Sequence, residues 1–276
     1  MFEGLLWSLA KKKLIPKRKI SRVHRKRKGV KRVVCVLFPL SQTFRSADEF
    51  IDNLMEVVRE DLPFADLLVF PRLTGNLLMG VLPFKIEKFE KLEPFYVDLL
   101  RYISKNLDIP VISPGVETFR SVPDVLVVKN GEIQQRHAPD IGHLVVDLDD
   151  WRVAILKKEE TLSSKSLRPL VEKDVFTFIH FELETEEKDW WNEKRGLWAR
   201  SQSLEVFGIK LSPKGTFRGR SYKGKSYISA PIPLTPNLTG FLRQDGGVKM
   251  SADLELELLK ERRHRIDTVK HILFRG

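Results

Sequence analysis

The chain has 276 residues, 42% of them apolar, and a formal net charge of +11. That is enough apolar material for one large α/β domain or two small ones, yet no apolar run approaches the ~20 residues needed to cross a bilayer. The single cysteine, Cys35, excludes a disulfide framework and fits a reducing, cytoplasmic setting, and the six histidines lack ligand spacing, so neither a metal nor another cofactor is expected.

Residues 1–10, MFEGLLWSLA, put Phe2, Leu5, Leu6 and Leu9 on one helical face with Trp7 beside it, and Pro16 stops that helix. Residues 11–32 then hold 13 of the 48 Lys and Arg and no acid. Residues 33–276 carry 35 basic against 36 acidic side chains, so the excess charge belongs to an arm, residues 1–32, and the body is near neutral. The charge follows the apolar stretch instead of preceding it, which excludes a secretory signal. Trp7 beside Lys11, Lys12, Lys13, Lys17, Arg18, Lys19, Arg25, Lys26, Arg27 and Lys28 suits peripheral contact with an anionic membrane surface, at ~1 kcal/mol per cation. The same run would hold nucleic-acid phosphates, and it also suits a solvated tail or one packed on a partner.

In the body, VVCVLF (33–38) reads as a buried strand, and Cys35 within it as a small core residue. Ser46 and Glu49 form a capping box ahead of a helix with Phe50, Ile51, Leu54, Val57 and Val58 on its inner face. LLVF (67–70) and PVIS (110–113) read as strands around a helix over 95–106. VLVVKNGEIQQR (125–136) is a hairpin about Asn130-Gly131. HLVVDL, WRVAIL and VFTFI follow as strands, with a helix near 166–173 and another through Trp198–Val206, and a last helix is expected over 252–263. Trp190 and Trp191 are expected to pack on a helix, and His180 to end its strand. Helices and strands alternate with hairpins mixed in, which argues a layered α/β domain with mixed sheets and no internal repeat.

The stretch GRSYKGKS, Gly219–Ser226, fits the phosphate-cradling pattern G-x-x-x-x-G-K-[ST]. Such a loop needs a buried strand before it and a helix after it, because the loop amides and helix N-terminus hold the phosphates. Here Pro231, Pro233 and Pro236 follow within a few residues and forbid that helix.

The same residues resemble a segment of the nitrilase superfamily, the carbon–nitrogen hydrolases: Gly224, Ser226, Ile228 and Pro231 hold the places of G-x-S-x-I-x-x-P, with Gly240 downstream. The likeness extends over 33–276 in the family's order. ADEFIDNLMEVVREDLPFADLLVFP resembles its first helix and second strand, VLVVKNGEIQQR its hairpin, WRVAIL the strand that carries the nucleophile, RPLVEKDVFTFI the stretch after it, and ADLELELLKERR its closing helix. Arg200 and Gly215 match a further spacing. The resemblance implies an α-β-β-α sandwich forming a four-layer homodimer, with 247–276 and its Arg262, Arg263 and Arg265 at the dimer contact.

Family chemistry needs a cysteine thiolate to attack the nitrile or amide carbon, a glutamate as general base and a lysine to stabilise the oxyanion. On the resemblance these three places fall on Lys157, Arg72 and His137, and the segment from His137 to Lys157 is shorter than the family's. The family Asn between Arg200 and Gly215 is Ser212. The expectation is a pseudoenzyme that binds a ligand or partner. Its former site is either a positive pocket for a small anion, with Arg72, His137, Lys157 and Glu159, or a collapsed one in which Arg72 and Lys157 pair with Glu159, Glu160 or other acids. Two alternatives stand beside it: a hydrolase with an unconventional site, Lys157 as nucleophile and Glu159 as base, and a nucleic-acid binder acting through the arm.

Overall fold

The computed structural model describes residues 2–25, 27–81, 91–118, 123–138, 142–186, 190–244 and 246–273, without the side chains of 2–5, 190, 192 and 267–273. Lys26 lies outside the described residues. The first half of the chain runs α1 (Phe2–Leu14), β1 (Val30–Val36), α2 (Ala47–Val58), β2 (Ala65–Val69), α3 (Glu93–Leu107), β3 (Val111–Pro114), β4 (Val125–Lys129) and β5 (Glu132–His137). The second runs β6 (Leu144–Leu148), β7 (Trp151–Leu156), α4 (Ser164–Val171), β8 (Thr177–Phe181), α5 (Trp190–Glu193), α6 (Ala199–Ser203), β9 (Phe207–Leu211), β10 (Lys214–Phe217), β11 (Arg220–Lys223), β12 (Tyr227–Ser229), β13 (Phe241–Gln244), β14 (Lys249–Glu255) and α7 (Leu256–Leu273).

Two six-stranded sheets result, ordered β14-β1-β2-β3-β4-β5 and β6-β7-β8-β9-β12-β13. Read in those directions, each has one antiparallel ladder, then two parallel, then two antiparallel. The sequence shows no repeat, so the two halves share a topology and not a residue pattern.

Strand alternation builds the layers. Val33 and Cys35 of β1, Leu67 and Val69 of β2, and Ile179 of β8 point into the core between the sheets. Val34, Val36 and Leu68 point the other way, onto Phe50, Ile51 and Leu54 of α2 and Leu99, Leu100 and Ile103 of α3. On the far side Ala154, Phe178 and Tyr227 meet Leu167 and Leu170 of α4. Three apolar cores between four layers make the expected α-β-β-α sandwich. Local signals fall where the sequence places them: the Ser46 side chain accepts from Glu49 N at 3.1 Å, and Asn130 and Gly131 take φ of 53° and 78°, the positive pair a tight hairpin turn requires.

Three expectations are revised. The last helix does not begin at 252, because Met250, Ala252 and Leu254 alternate inward as β14 on the edge of β1, and α7 starts at Leu256. The 1–32 segment is folded onto the body. Ala10, Leu14 and Ile20 are buried in the core beside α2 and α3, Trp7 meets Phe95 edge-on at 5.5 Å, and Val30–Arg32 already belong to β1. Arg22 donates to the carbonyls of Leu62, Ala65, Leu107 and Asp108, and Arg18 pairs with Asp52. Arg27 and Arg32 both grip Asp253; burial works to raise that carboxyl, but the two guanidinium groups outweigh it and hold it well below the usual range. Trp191 stands 69% exposed instead of packing on a helix. In α7, Arg262 Nε lies 2.6 Å from Glu205, and Arg263 sits over the Phe176 ring.

A candidate cleft and its side cavity

The loops leaving β2, β5 and β7 meet at one end of the sandwich. Arg72 follows β2, His137 ends β5 and Lys157 follows β7, and all three line a single cleft of about 330 Å³. Glu159, Lys158, His180 and Glu182 complete much of its wall. The residues singled out by the resemblance are therefore brought together.

Arg72 and His137 already have partners. The Arg72 guanidinium forks onto Glu117, at 3.0 Å from Nε and 2.5 Å from the terminal nitrogen. Glu117 is itself fixed by Asn76, which accepts from its backbone N–H and donates to its carbonyl, both at 2.8 Å. His137 Nε2 lies 2.8 Å from the Gly142 carbonyl. The carboxylate that meets Arg72 is thus neither Glu159 nor Glu160; Glu160 instead accepts from the Lys157 backbone N–H at 2.9 Å and holds His143. The ammonium of Lys157 forms no ion pair among the described residues. Cys35 lies far from this chemistry, fully buried in β1 between the sheets, where burial pushes its thiol pKa up.

Behind the cleft, strand register lines up a second polar group. His180 of β8 pairs with Lys210 of β9, which pairs with Tyr227 of β12. Their neighbours Ile179, Ile209 and Ile228 fill the inter-sheet core, so this row must face the outer helices. The Lys210 ammonium lies 2.9 Å from Glu182, 3.1 Å from Glu184 and 2.5 Å from Glu193, and no side chain of the four is more than 9% exposed. Burial alone would lower Lys210, but Glu182 and Glu193 raise it. Glu182 is likewise penalised by burial, yet Lys210 holds it down at about 2. Lys158 closes over Glu182 from the solvent side at 3.0 Å.

Sequence reading missed this group. Its signals were a lone Lys among the apolar residues of FGIKL and an acidic run, HFELETEE, at the end of a buried strand. His180, read as a strand end, is that and also part of the wall of both spaces. Among the described residues no cluster of His, Cys, Asp and Glu could hold a metal ion, and no helix is long and apolar enough to cross a membrane.

No protein-family model matches the chain, and no curated protein does. Solved structures match its fold. An amidase of Nesterenkonia AN1 from the nitrilase superfamily aligns over 86% of this chain and 96% of its own, with a TM-score of 0.60 and 15% identity. A carbon–nitrogen hydrolase from Helicobacter pylori G27 aligns over 88% and 94%, with a TM-score of 0.63 and 14% identity. A glutamine-dependent NAD+ synthetase from Acinetobacter baumannii aligns over 83% of this chain and 46% of its own, with a TM-score of 0.58 and 16% identity. The chain has the nitrilase-superfamily fold. At these identities the likeness extends to architecture, and activity must be argued from the site.

Proposed function

We propose that this protein of nitrilase fold binds a ligand or partner and does not hydrolyse amides. The observation that carries the reading is the placement of its one thiol. A mutant of the Nesterenkonia amidase shows covalent addition of the acetamide moiety of fluoroacetamide at the active site cysteine. Such a step needs a thiolate facing the substrate. Here the end of β7 presents Lys157 to the cleft, and Cys35 is sealed between the sheets. Lys157 with Lys158 at the rim suits a small carboxylate or phosphate, while Arg72 is engaged by Glu117. The test is ammonia release from acrylamide and butyramide, amides held by the Nesterenkonia enzyme in its complexes. No release above a buffer control is expected. Release that disappears in Lys157→Ala would instead establish an unconventional hydrolase with Lys157 as nucleophile and Glu159 as base.

The N-terminal segment supports a second element of the reading, peripheral contact with an anionic membrane. Leu9, Ile15 and Val23 are 51%, 59% and 77% exposed, beside exposed Lys11, Lys12, Lys13, Lys17 and Lys19. An apolar and cationic surface of this kind is attracted to anionic lipid. Deleting the segment would strip core residues and the start of β1, so the variant to use is Lys11, Lys12 and Lys13→Gln. Sedimentation with phosphatidylserine vesicles is expected for the parent and reduced in the variant. Binding to RNA with none to vesicles would move the reading to nucleic acid.

A further inference from the structure

Beside the cleft, and sharing Lys158, His180 and Glu182 with it, lies a smaller cavity of about 70 Å³, also lined by Glu193, Lys210, Tyr227, Thr161, Leu162 and Gly196. That is room for an ion or molecule of one to three heavy atoms. Lys210 sits among the three carboxylates and spends its three protons on Glu182, Glu184 and Glu193. The second oxygen of Glu193, Oε1, is buried with no hydrogen-bond partner among the described residues, although the side chain is only 2% exposed. A buried carboxylate oxygen left this way is costly, and it marks a place where a donor belongs.

The neighbouring imidazole makes the same demand. His180 Nδ1 lies 3.1 Å from the Leu156 carbonyl, which can only accept, so Nδ1 carries the proton. Burial, outweighing the pull of Glu182, favours the neutral ring. In that tautomer Nε2 is an acceptor, and it faces a Glu182 oxygen at 3.9 Å. Glu193, Glu182 and His180, each carrying an acceptor, therefore line one small space. A divalent metal has no such seat, because the Lys210 ammonium already occupies the point between the carboxylates.

We infer that this cavity is a subsite for ammonium or a small primary ammonium group, seated by Glu193 Oε1 and the facing acceptors of Glu182 and His180. An ammonium group has a positive charge to match the carboxylates and several N–H donors to satisfy separate acceptors. Potassium has the charge without the donors, and tetramethylammonium has neither donors nor the size to enter. The inference stands whether or not the wider cleft holds an anion.

The probe is methylammonium chloride, titrated into the full chain by calorimetry at fixed ionic strength, with potassium and tetramethylammonium chlorides in parallel. Saturable binding of methylammonium alone is expected, weakened about tenfold or more in Glu193→Gln, the usual loss for a charged hydrogen bond. Should that variant fail to fold, Leu162→Trp decides the matter: Leu162 is 60% exposed on the cavity wall, so the larger ring narrows the space without touching the charges. Loss of binding in Leu162→Trp supports the site. Absence of saturable methylammonium binding, equal binding of potassium, or binding unchanged in either variant overturns it.

Discussion

The cleft and the side cavity share a wall but manage charge in opposite ways. In the cleft, Arg72 and Glu117 remain 16% and 17% exposed and meet as one bidentate pair, while Lys157 faces the open space. Behind it, Lys210 and its three glutamates are almost sealed. Near water a broken pair is rehydrated, whereas in a sealed site the remaining charge has no substitute partner. The cleft pair can therefore be broken at smaller cost, and the sealed group fixes how β8, β9 and α5 sit together.

The largest expected effect follows directly. Lys210→Met keeps the length of the side chain and leaves Glu182, Glu184 and Glu193 without their shared cation. A loss of about 3–5 kcal/mol in urea unfolding is expected, the usual cost of removing one partner from a buried ion pair. The matching exchange in the cleft, Arg72→Met, should cost about 1 kcal/mol, because Glu117 keeps its hold on Asn76 through its backbone and its carboxylate reaches solvent. Equal losses in the two variants would show that the two regions do not differ in this way.

Much of the fold was legible because period-2 alternation and turn chemistry are local. VVCVLF, WRVAIL and the Asn130-Gly131 hairpin each carry their structure in a few residues. The cleft was legible only through resemblance, since Arg72, His137 and Lys157 come from three distant strand ends. Glu117 escaped because its link to Arg72 spans 45 positions and depends on a loop braced by Asn76. Lys210 escaped for a related reason: a Lys in a strand reads as exposed until the neighbouring strands show that its face is covered. The arm was misjudged by composition alone. Lys11, Lys12, Lys13, Lys17, Lys19 and Lys28 are exposed, but Arg22 and Arg27 lie among them and are used to fasten the segment, which no charge count can distinguish.

The comparison sharpens with pH, where the effects are smaller. Glu182 is held at about 2 against an ordinary carboxylate near 4.5, burial opposing and Lys210 prevailing. A depressed folded pKa stabilises the protein above the unfolded value, and that stabilisation is lost as pH falls from 4.5 towards 2. Other acids, Asp253 among them, titrate in the same sense, so the reading is the difference between parent and Glu182→Gln: the gap in unfolding free energy should be widest above pH 5 and shrink below it. His180 is depressed as well, chiefly by burial, with Glu182 pulling the other way. Its contribution is present above pH 6.5 and falls away as the unfolded chain takes up a proton that the folded chain refuses. The slope it adds is at most one proton, ~1.4 kcal/mol per pH unit. His180→Asn keeps an N–H donor for the Leu156 carbonyl and cannot titrate, so its stability should be flatter than the parent's between pH 6.5 and 5. Parallel curves for the two proteins would mean that His180 takes up its proton while folded, and that its Nε2 donates to Glu182 and leaves one acceptor fewer facing the cavity.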